Sequence, residues 1–288
     1  MDGIFRTMIA VPELAARLGQ VVLVDMRHQL SDPGWGAAQY GQGHLPGAVF
    51  IHLDRDLSAV PDVGNGRHPL PGRAGFAARA RGWGIDGRRQ VVIYDQDSGA
   101  FAARLWWMLN RWLGLDCAAV LDGGHAAWLA AGLPLESTPV TPAPAADTIA
   151  LPAGDGGLVT MAALRAGLGQ PELMLVDARG AARYRGETEP LDPVAGHIPG
   201  ALNRPFTDNL GPDGRMKPPG ELRREWLGLI GSHAPEQVVH HCGSGVTACH
   251  NLLAMEHAGL GGGRLYAGSW SEWCCHPGNP VVRGPARD

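Results

Sequence analysis

The chain has 288 residues, of which 45% are hydrophobic and 18% are charged, a composition typical of an ordinary globular protein. The length suits two domains of about 140 residues each. The net charge of −4 excludes the basic field with which proteins bind nucleic acids or anionic membranes, and no apolar run approaches the roughly 18 residues that span a bilayer.

The N-terminus and the cysteines predict the cellular location. The first residues lack a basic start followed by a long apolar region, so we expect no secretory signal. The five cysteines show no framework spacing, which is typical of free thiols in a reducing compartment. They are Cys117, Cys242, Cys249, Cys274 and Cys275. We therefore predict a cytoplasmic protein.

In the first half of the chain, short β-branched runs alternate with helical patterns. We predict strands at 21–25, 91–94 and 118–121, and helices at 12–18, 73–82, 100–112 and 124–131. Such alternation predicts an α/β fold, in which a parallel sheet is flanked by helices on both faces. In sheets of this kind, ligands gather at the carboxyl ends of the strands.

An internal repeat organises the chain. Four motifs of the first half recur in the second half in the same order. Segments 22–27, 43–48, 91–95 and 121–128 recur at 174–179, 196–201, 238–242 and 266–273. Four matches in register indicate a tandem duplication of one domain.

A proline-rich stretch separates the two copies. Residues 137–147 lack periodicity and predict an extended linker. We therefore predict an N-terminal domain over 1–136, a linker over 137–157 and a C-terminal domain over 158–288.

The segment around Cys242 carries the strongest chemical signal. It lies between a predicted strand at 237–239 and a helical pattern that stops at Gly259. Gly243 and Gly245 let the loop curl so that backbone N–H groups point inward, which suits an anion. The helix N-terminus adds partial positive charge, which favours a thiolate. We predict that Cys242 is a nucleophile; the alternative is a buried structural thiol.

Asp95 occupies the position of Cys242 in the first copy. Only the second domain therefore has a thiol at this position, and we expect the first domain to be structural or to form part of a pocket. The Asp95 loop lacks further carboxylates at ligand spacing, and the Cys274-Cys275 pair has no second cysteine pair at zinc spacing. We predict neither a metal nor another cofactor.

Taken together, these motifs resemble the tandem-domain rhodanese family of sulfurtransferases over nearly the whole chain. The resemblance implies two rhodanese-like domains, of which only the second is catalytic. It also implies transfer of sulfane sulfur through a persulfide on Cys242, held by the loop residues Gly243, Ser244, Gly245, Val246 and Thr247. The matching segments are Asp25-Met-Arg27, Asp177-Ala-Arg179, the Gly-His-Leu/Ile-Pro-Gly-Ala motifs at 43–48 and 196–201, Ala103-Arg-Leu-Trp-Trp107, residues 242–247 and Gly268-Ser-Trp-Ser-Glu-Trp273.

The loop sequence indicates the sulfur donor. Members of the family that prefer thiosulfate carry cationic residues after the cysteine, whereas this chain has Gly243 and Ser244 and resembles the members that use 3-mercaptopyruvate. A loop without cations should bind the doubly charged thiosulfate less well. Thiosulfate stays the alternative donor. We expect the acceptor to be a thiol, such as thioredoxin or a small thiol, or cyanide.

The resemblance also implies residues that bind the substrate. Arg183 matches an arginine of the family's active site, and His68 matches a histidine that reaches the active site between the domains. Members that use mercaptopyruvate usually carry another arginine at position 192, where this chain has Asp192, so Arg185 is the candidate replacement. The acid expected upstream of His68 has two candidates, Asp56 and Asp62.

Residues shared by both copies are better explained by the fold than by catalysis. This applies to Arg27, Arg179, His44 and His197. We likewise expect His240 and His241 to be core histidines, because they end a buried strand whose successive side chains face opposite ways.

Two other functions compete with sulfur transfer. Cysteine phosphatases and arsenate reductases place an arginine six residues after the cysteine, but that position is Ala248 here, so an oxyanion would lack its bidentate partner. A non-catalytic binding module with the rhodanese fold is the second alternative. The uninterrupted glycine loop around Cys242 disfavours it.

Overall fold

The computed structural model describes residues 3–62 and 64–285. Internal contacts divide the chain into two compact units, each with its own sheet. The described residues of the first fall within Met1–Ala59, Leu70–Gly156 and Pro212–Met216; those of the second fall within Val60–Pro69, Gly157–Gly211 and Lys217–Asp288. The domain boundaries given above stay a prediction.

The first unit is built on a five-stranded parallel sheet in the order β1-β5-β4-β2-β3. Its strands are β1 (Met8–Ile9), β2 (Val22–Asp25), β3 (Ala48–Phe50), β4 (Val91–Tyr94) and β5 (Ala118–Leu121). Its helices are α1 (Val11–Ala15), α2 (Trp35–Gln42), α3 (Leu53–Asp56), α4 (Arg73–Gly82), α5 (Ala102–Trp107) and α6 (Gly124–Ala130). A π-helix over Met108–Trp112 continues α5.

The second unit holds a four-stranded parallel sheet in the order β7-β6-β8-β9. Its strands are β6 (Met174–Asp177), β7 (Ala201–Asn203), β8 (Val238–His241) and β9 (Arg264–Leu265). Its helices are α7 (Met161–Gly167), α8 (Ala181–Tyr184), α9 (Pro219–Ile230), α10 (Ala248–His257) and α11 (Ser269–Trp273). Short 3-10 helices lie at Phe206–Asn209 and Pro235–Gln237.

The central strands are buried along their full length. Every residue of β2, β4, β5 and β8 is buried, as expected for parallel strands whose two faces are both covered. Trp128 is fully buried in the core of the first unit, and Trp270 and Trp273 are fully buried in that of the second. The predicted α/β fold with two parallel sheets is confirmed.

Each unit contains the same kind of buried ion pair at the end of a central strand. Arg27 donates to both oxygens of Asp25, and its Nη2 donates at 2.8 Å to the carbonyl of the glycine that opens the Gly-His motif. Arg179 repeats these bonds with Asp177 and with the corresponding glycine carbonyl, at 2.7 Å. The pair fastens the strand to a turn, which is a structural role.

The histidines of the repeated turns also make matching contacts. The His44 ring stacks on Tyr40 with centroids 3.8 Å apart, and its Nδ1 lies 2.8 Å from the Tyr40 carbonyl. The His197 ring stacks on Tyr184 at 3.8 Å, with Nδ1 2.8 Å from that carbonyl. Each histidine therefore joins its turn to the preceding helix.

Candidate active site

Cys242 directly follows β8 and begins the loop that leads into α10. Its N–H donates to Ser269 Oγ at 3.1 Å, and its carbonyl accepts the Trp270 N–H at 3.0 Å. The Ser271 N–H donates to the carbonyl of Gly243 at 2.9 Å. These three bonds fasten the loop to the start of α11 and fix the direction in which the cysteine side chain leaves the backbone.

Gly245 closes the loop around the sulfur. Its N–H donates to Cys242 Sγ at 3.2 Å, so a main-chain dipole points at the sulfur. The residue has a φ of +77°, and a Cβ added to it would lie 2.3 Å from the carbonyl oxygen of Ala267. Glycine is therefore required both by the backbone conformation and by the close approach of the neighbouring chain.

Asp95 shows how the loop of the first unit holds an anion. Its buried carboxylate accepts four backbone N–H groups: Oδ1 from Asp97 at 3.3 Å and Gly99 at 2.9 Å, Oδ2 from Phe101 at 2.8 Å and Ala102 at 3.2 Å. Burial raises the pKa of Asp95, and the hydrogen bonds from Phe101, Gly99 and Ala102 oppose that rise. A loop at this strand end thus directs its amides toward the side chain that precedes it.

Ser244, two residues after Cys242, meets His68. Ser244 Oγ lies 2.7 Å from His68 Nδ1, and both side chains are buried. His68 belongs to the same compact unit as Cys242. Val246 is also buried, and Thr247 precedes α10, but within the described residues the Thr247 side chain makes no capping hydrogen bond. The loop residues named from the sequence therefore lie together.

Arg183, at the end of α8, lies over the loop. Its Nη2 donates to Glu189 Oε1 at 2.7 Å and to Asp192 Oδ2 at 3.2 Å. A Cβ added at Gly243 would lie 3.4 Å from Arg183 Nη1 and 3.5 Å from Nη2. The guanidinium therefore lies directly over the residue that follows Cys242.

Arg67 is a second cation at this position, and it was not among the predicted residues. Its Nη2 would lie 2.8 Å from a Cβ added at Gly243, and its Nη1 pairs with Asp192 Oδ1. The sequence offered one signal, the aspartate at position 192. A carboxylate where the family usually has an arginine needs a cationic partner elsewhere, but the sequence does not say where.

Cys242 itself is 2% exposed. The Arg67 and Arg183 side chains over the adjoining residue are 29% and 22% exposed. The group above the loop therefore consists of long side chains that reach solvent rather than of backbone.

Arg185 and Asp56, one of the two candidate acids, each form an ion pair with a residue nearby in the sequence. Arg185 forms a bidentate, exposed ion pair with Glu187 at 2.6 and 2.9 Å. Asp56 lies in the first unit and pairs with Arg55 at 2.6 Å. Asp62 lies in the second unit, on the same segment as His68.

The two histidines at the end of β8 are fully buried. His240 Nε2 lies 3.1 Å from Met255 Sδ, and its ring meets Trp226 edge-on at 5.5 Å. His241 Nε2 lies 3.7 Å from Asp177 Oδ2. Burial lowers the pKa of His240 to about 3 and also lowers the pKa of His241. The prediction that both are core residues is confirmed.

One group of described residues has the side chains to hold a metal ion. It consists of His28, His52 and Asp54 in the first unit. Both ring nitrogens of His52 already make hydrogen bonds, Nδ1 with the Asp54 N–H at 3.1 Å and Nε2 with the Pro33 carbonyl at 2.9 Å. A metal ion at this position would displace one of them.

Comparison with known proteins assigns the fold to a family. Residues 10–131 and 160–276 match the family model described as the rhodanese-like domain. A probable 3-mercaptopyruvate sulfurtransferase of Pseudomonas aeruginosa is 50% identical over 282 residues, which cover 96% of this chain and 98% of that protein. A putative thiosulfate sulfurtransferase of Mycobacterium tuberculosis is 40% identical over 290 residues, 98% of each chain.

A solved structure of a sulfurtransferase has a similar fold. The 3-mercaptopyruvate sulfurtransferase from Leishmania major superposes with a TM-score of 0.80 at 34% identity, over 93% of this chain and 74% of that one. Across residues 3–62 and 64–285, none of the helices has both the length and the apolar character needed to cross a membrane.

Proposed function

The chain belongs to the rhodanese family of sulfurtransferases, and we propose that it transfers sulfane sulfur from 3-mercaptopyruvate through a persulfide on Cys242. One observation carries the proposal: the sulfur of Cys242 lies at the end of a parallel strand with the Gly245 N–H directed at it from 3.2 Å. A donor within reach of that sulfur would also meet the Arg183 guanidinium.

The first half-reaction loads the enzyme. The thiolate of Cys242 attacks the sulfur of 3-mercaptopyruvate, so an S–S bond forms and the donor's C–S bond breaks. The electron pair of the broken bond leaves on carbon as the enolate of pyruvate, which takes a proton from solvent. The donor's thiol proton stays on the terminal sulfur until that sulfur ionises to Cys242–S–S⁻.

The second half-reaction removes the sulfur from the enzyme. An acceptor thiolate attacks the terminal sulfur, takes that sulfur as its own persulfide and releases the Cys242 thiolate. Cyanide would take the same sulfur as thiocyanate. We propose a thiol acceptor, such as thioredoxin or a small thiol, or cyanide, and a cytoplasmic location. Two separable half-reactions give ping-pong kinetics.

The loop would stabilise the anions that form. The Asp95 carboxylate in the first unit accepts four loop amides, which supports a similar role for residues 243–247 toward the terminal sulfur. Ser244, held by His68, would donate its hydroxyl to the ketone oxygen as negative charge develops there. Both contributions grow along the reaction, so they would act on kcat.

The charge around Arg183 favours a donor with one negative charge. The buried carboxylates of Glu189 and Asp192 offset the two cations over Gly243, Arg183 and Arg67, which leaves less net positive charge than the dianion thiosulfate would need. Thiosulfate is the second candidate, since arginines do stand beside the loop even though the loop itself has none. Arg185 is the weaker candidate for substrate binding, because its exposed partner is Glu187.

The alternatives have less support. Ala248 begins α10 and is buried, so the position from which a phosphatase arginine would grip an oxyanion has no donor side chain. A purely binding module would have no need for a cysteine sulfur that accepts a loop N–H.

The deciding experiment compares two buried free cysteines. Wild type, Cys242→Ser and the control Cys117→Ser are incubated with 3-mercaptopyruvate, freed of donor and weighed intact. We expect one added sulfur atom on wild type and on Cys117→Ser, and none on Cys242→Ser. Persulfide and full turnover in Cys242→Ser would refute the proposal. The ratio of kcat/KM for 3-mercaptopyruvate and thiosulfate then decides the donor, and we expect 3-mercaptopyruvate to lead.

A further inference from the structure

We propose that Arg67 is a second donor-binding residue, which takes the carboxylate of the donor together with Arg183, and that Asp192 is the residue that positions it. The inference rests on the proposed function, because it completes the donor site beside Cys242.

The two guanidiniums converge on one point of the backbone. The Cβ position of Gly243 lies 2.8 Å from Arg67 Nη2, 3.4 Å from Arg183 Nη1 and 3.5 Å from Arg183 Nη2. Gly243 directly follows Cys242, and consecutive Cα atoms are about 3.8 Å apart, so the two guanidiniums lie over the residue next to the sulfur-bearing one. A donor with its sulfur at Cys242 can therefore place its carboxylate above Gly243.

A shared carboxylate sets the spacing of the two cations. Asp192 Oδ1 pairs with Arg67 Nη1, and Oδ2 pairs with Arg183 Nη2 at 3.2 Å. The Asp192 side chain is 2% exposed, and a charge so deeply buried needs partners. Arg67 is also held through its backbone, whose N–H donates to Ser271 Oγ at 3.0 Å on α11. Both ends of the residue are thus fixed.

The remaining donors suit a carboxylate. A guanidinium carries five N–H groups in a rigid fork, and Asp192 engages Nη1 of Arg67, while Nη2 is the atom that faces Gly243. Two arginines aimed at one point can bind the two oxygens of a carboxylate, with the short charge-assisted bonds that such pairs form. Arg67, on a separate segment, thereby supplies the positive charge that the aspartate at position 192 does not.

The test separates binding of the carboxylate from a merely structural ion pair. Arg67→Gln is assayed with 3-mercaptopyruvate and with 1-mercapto-2-propanone, which has the same reacting sulfur and ketone but no carboxylate. We expect KM for 3-mercaptopyruvate to rise at least tenfold with kcat within about threefold, and the ketone donor to be used as by wild type. Arg67→Lys should recover part of the loss. Arg55→Gln, at an exposed ion pair in the first unit, is the control.

The outcomes distinguish a failure of the Arg67 assignment from a failure of persulfide chemistry at Cys242. If wild type forms a persulfide but Arg67→Gln keeps the wild-type KM, or loses both donors equally, Arg67 does not bind the carboxylate and the inference fails. If wild type forms no persulfide at all, the proposed function fails first. If Arg67→Gln does not fold, Arg67→Lys decides: its ammonium keeps a positive charge beside Asp192 but lacks the forked donor pair, so KM for 3-mercaptopyruvate should still rise severalfold while the ketone donor is used as by wild type, and an unchanged KM for 3-mercaptopyruvate would overturn the inference.

Discussion

The Nδ1 atom of His68 lies 2.7 Å from the Ser244 hydroxyl oxygen, although 176 positions separate the two residues in the sequence. Both side chains are buried, and Ser244 is the second residue after Cys242. The bond therefore fixes the Ser244 hydroxyl, which we propose as a donor to the ketone of the substrate, and it joins the loop to the segment that also carries Arg67.

Ser244→Ala tests that hydroxyl. A hydrogen bond of this kind contributes about 1 kcal/mol, so we expect kcat with 3-mercaptopyruvate to fall about fivefold and KM to change little. Steady-state kinetics gives both numbers. Ser58→Ala removes another buried serine, whose hydroxyl donates to the Leu53 carbonyl in the first unit, and should leave kcat unchanged. Equal losses in the two variants would contradict a specific role for Ser244.

Gly245→Ala and Gly200→Ala separate the cost of an unfavourable backbone conformation from the cost of a clash between the new Cβ and a neighbouring chain segment. Both glycines have a φ of +77°, but a Cβ at position 245 would lie 2.3 Å from the Ala267 carbonyl oxygen, whereas no described atom comes within 4 Å of one at position 200. We expect Gly200→Ala to cost about 1 kcal/mol of unfolding free energy. Gly245→Ala should cost more, roughly 3 kcal/mol, and abolish persulfide formation. Urea unfolding measures the difference, and similar costs would show that the loop can relax.

Acid should destabilise the fold through His240. Its pKa is about 3 in the folded chain because of burial, whereas an unfolded histidine titrates near 6.5. The unfolded state therefore binds the extra proton between these pH values, so stability is present above about pH 6.5 and falls by up to about 1.4 kcal/mol per pH unit as the pH drops toward 3.

His240→Phe removes this proton while keeping an aromatic ring beside Trp226. Between pH 6 and 4.5, the unfolding free energy of the variant should change less steeply with pH than that of wild type. The difference in slope should be about 1.4 kcal/mol per pH unit, which corresponds to one proton. His125, whose pKa burial lowers to about 4, adds its own slope in both proteins. Identical slopes in wild type and variant would mean that His240 is protonated in the folded chain.

Arg183→Ala and Arg185→Ala compare two candidate cations that lie two positions apart. Arg183 lies over Gly243, whereas Arg185 is exposed and paired with Glu187. We expect KM for 3-mercaptopyruvate to rise more than tenfold in Arg183→Ala, because a charge-assisted pair to the donor is lost. The change in Arg185→Ala should be far smaller. A larger effect at Arg185 would move the donor site away from the loop.

Strong local patterns predicted much of the fold. Strands β4 and β5 occupy the predicted residues 91–94 and 118–121, because each is a short apolar run that is buried on both faces. The two-residue strands β1 and β9 were missed, since two residues show no periodicity. The helix predicted over 100–112 changes at Met108 into a π-helix, a change in hydrogen-bond register that side-chain spacing does not encode.

The family resemblance placed His68 and Arg183 at the candidate site, but from the residues alone the site was predictable only where it is local. Cys242, Gly243 and Gly245 lie within one loop, so their spacing alone indicated an anion-binding turn. The pairing of Arg67 with Asp192 spans 125 positions. Such a contact is set by how separate segments pack, and a sequence without its fold shows only that an unusual carboxylate stands at position 192.

In the first unit, the loop that could bind an anion is filled by the protein's own Asp95 carboxylate. Its carboxylate already takes the amide hydrogens that an incoming anion would need, so that copy has no vacancy for a sulfur. If Cys242 carries the persulfide, as we propose, each polypeptide would then hold one transferable sulfur equivalent on that residue, and the Asp95 loop would hold none. The sulfur loaded in this way in a cell would not exceed the number of protein molecules.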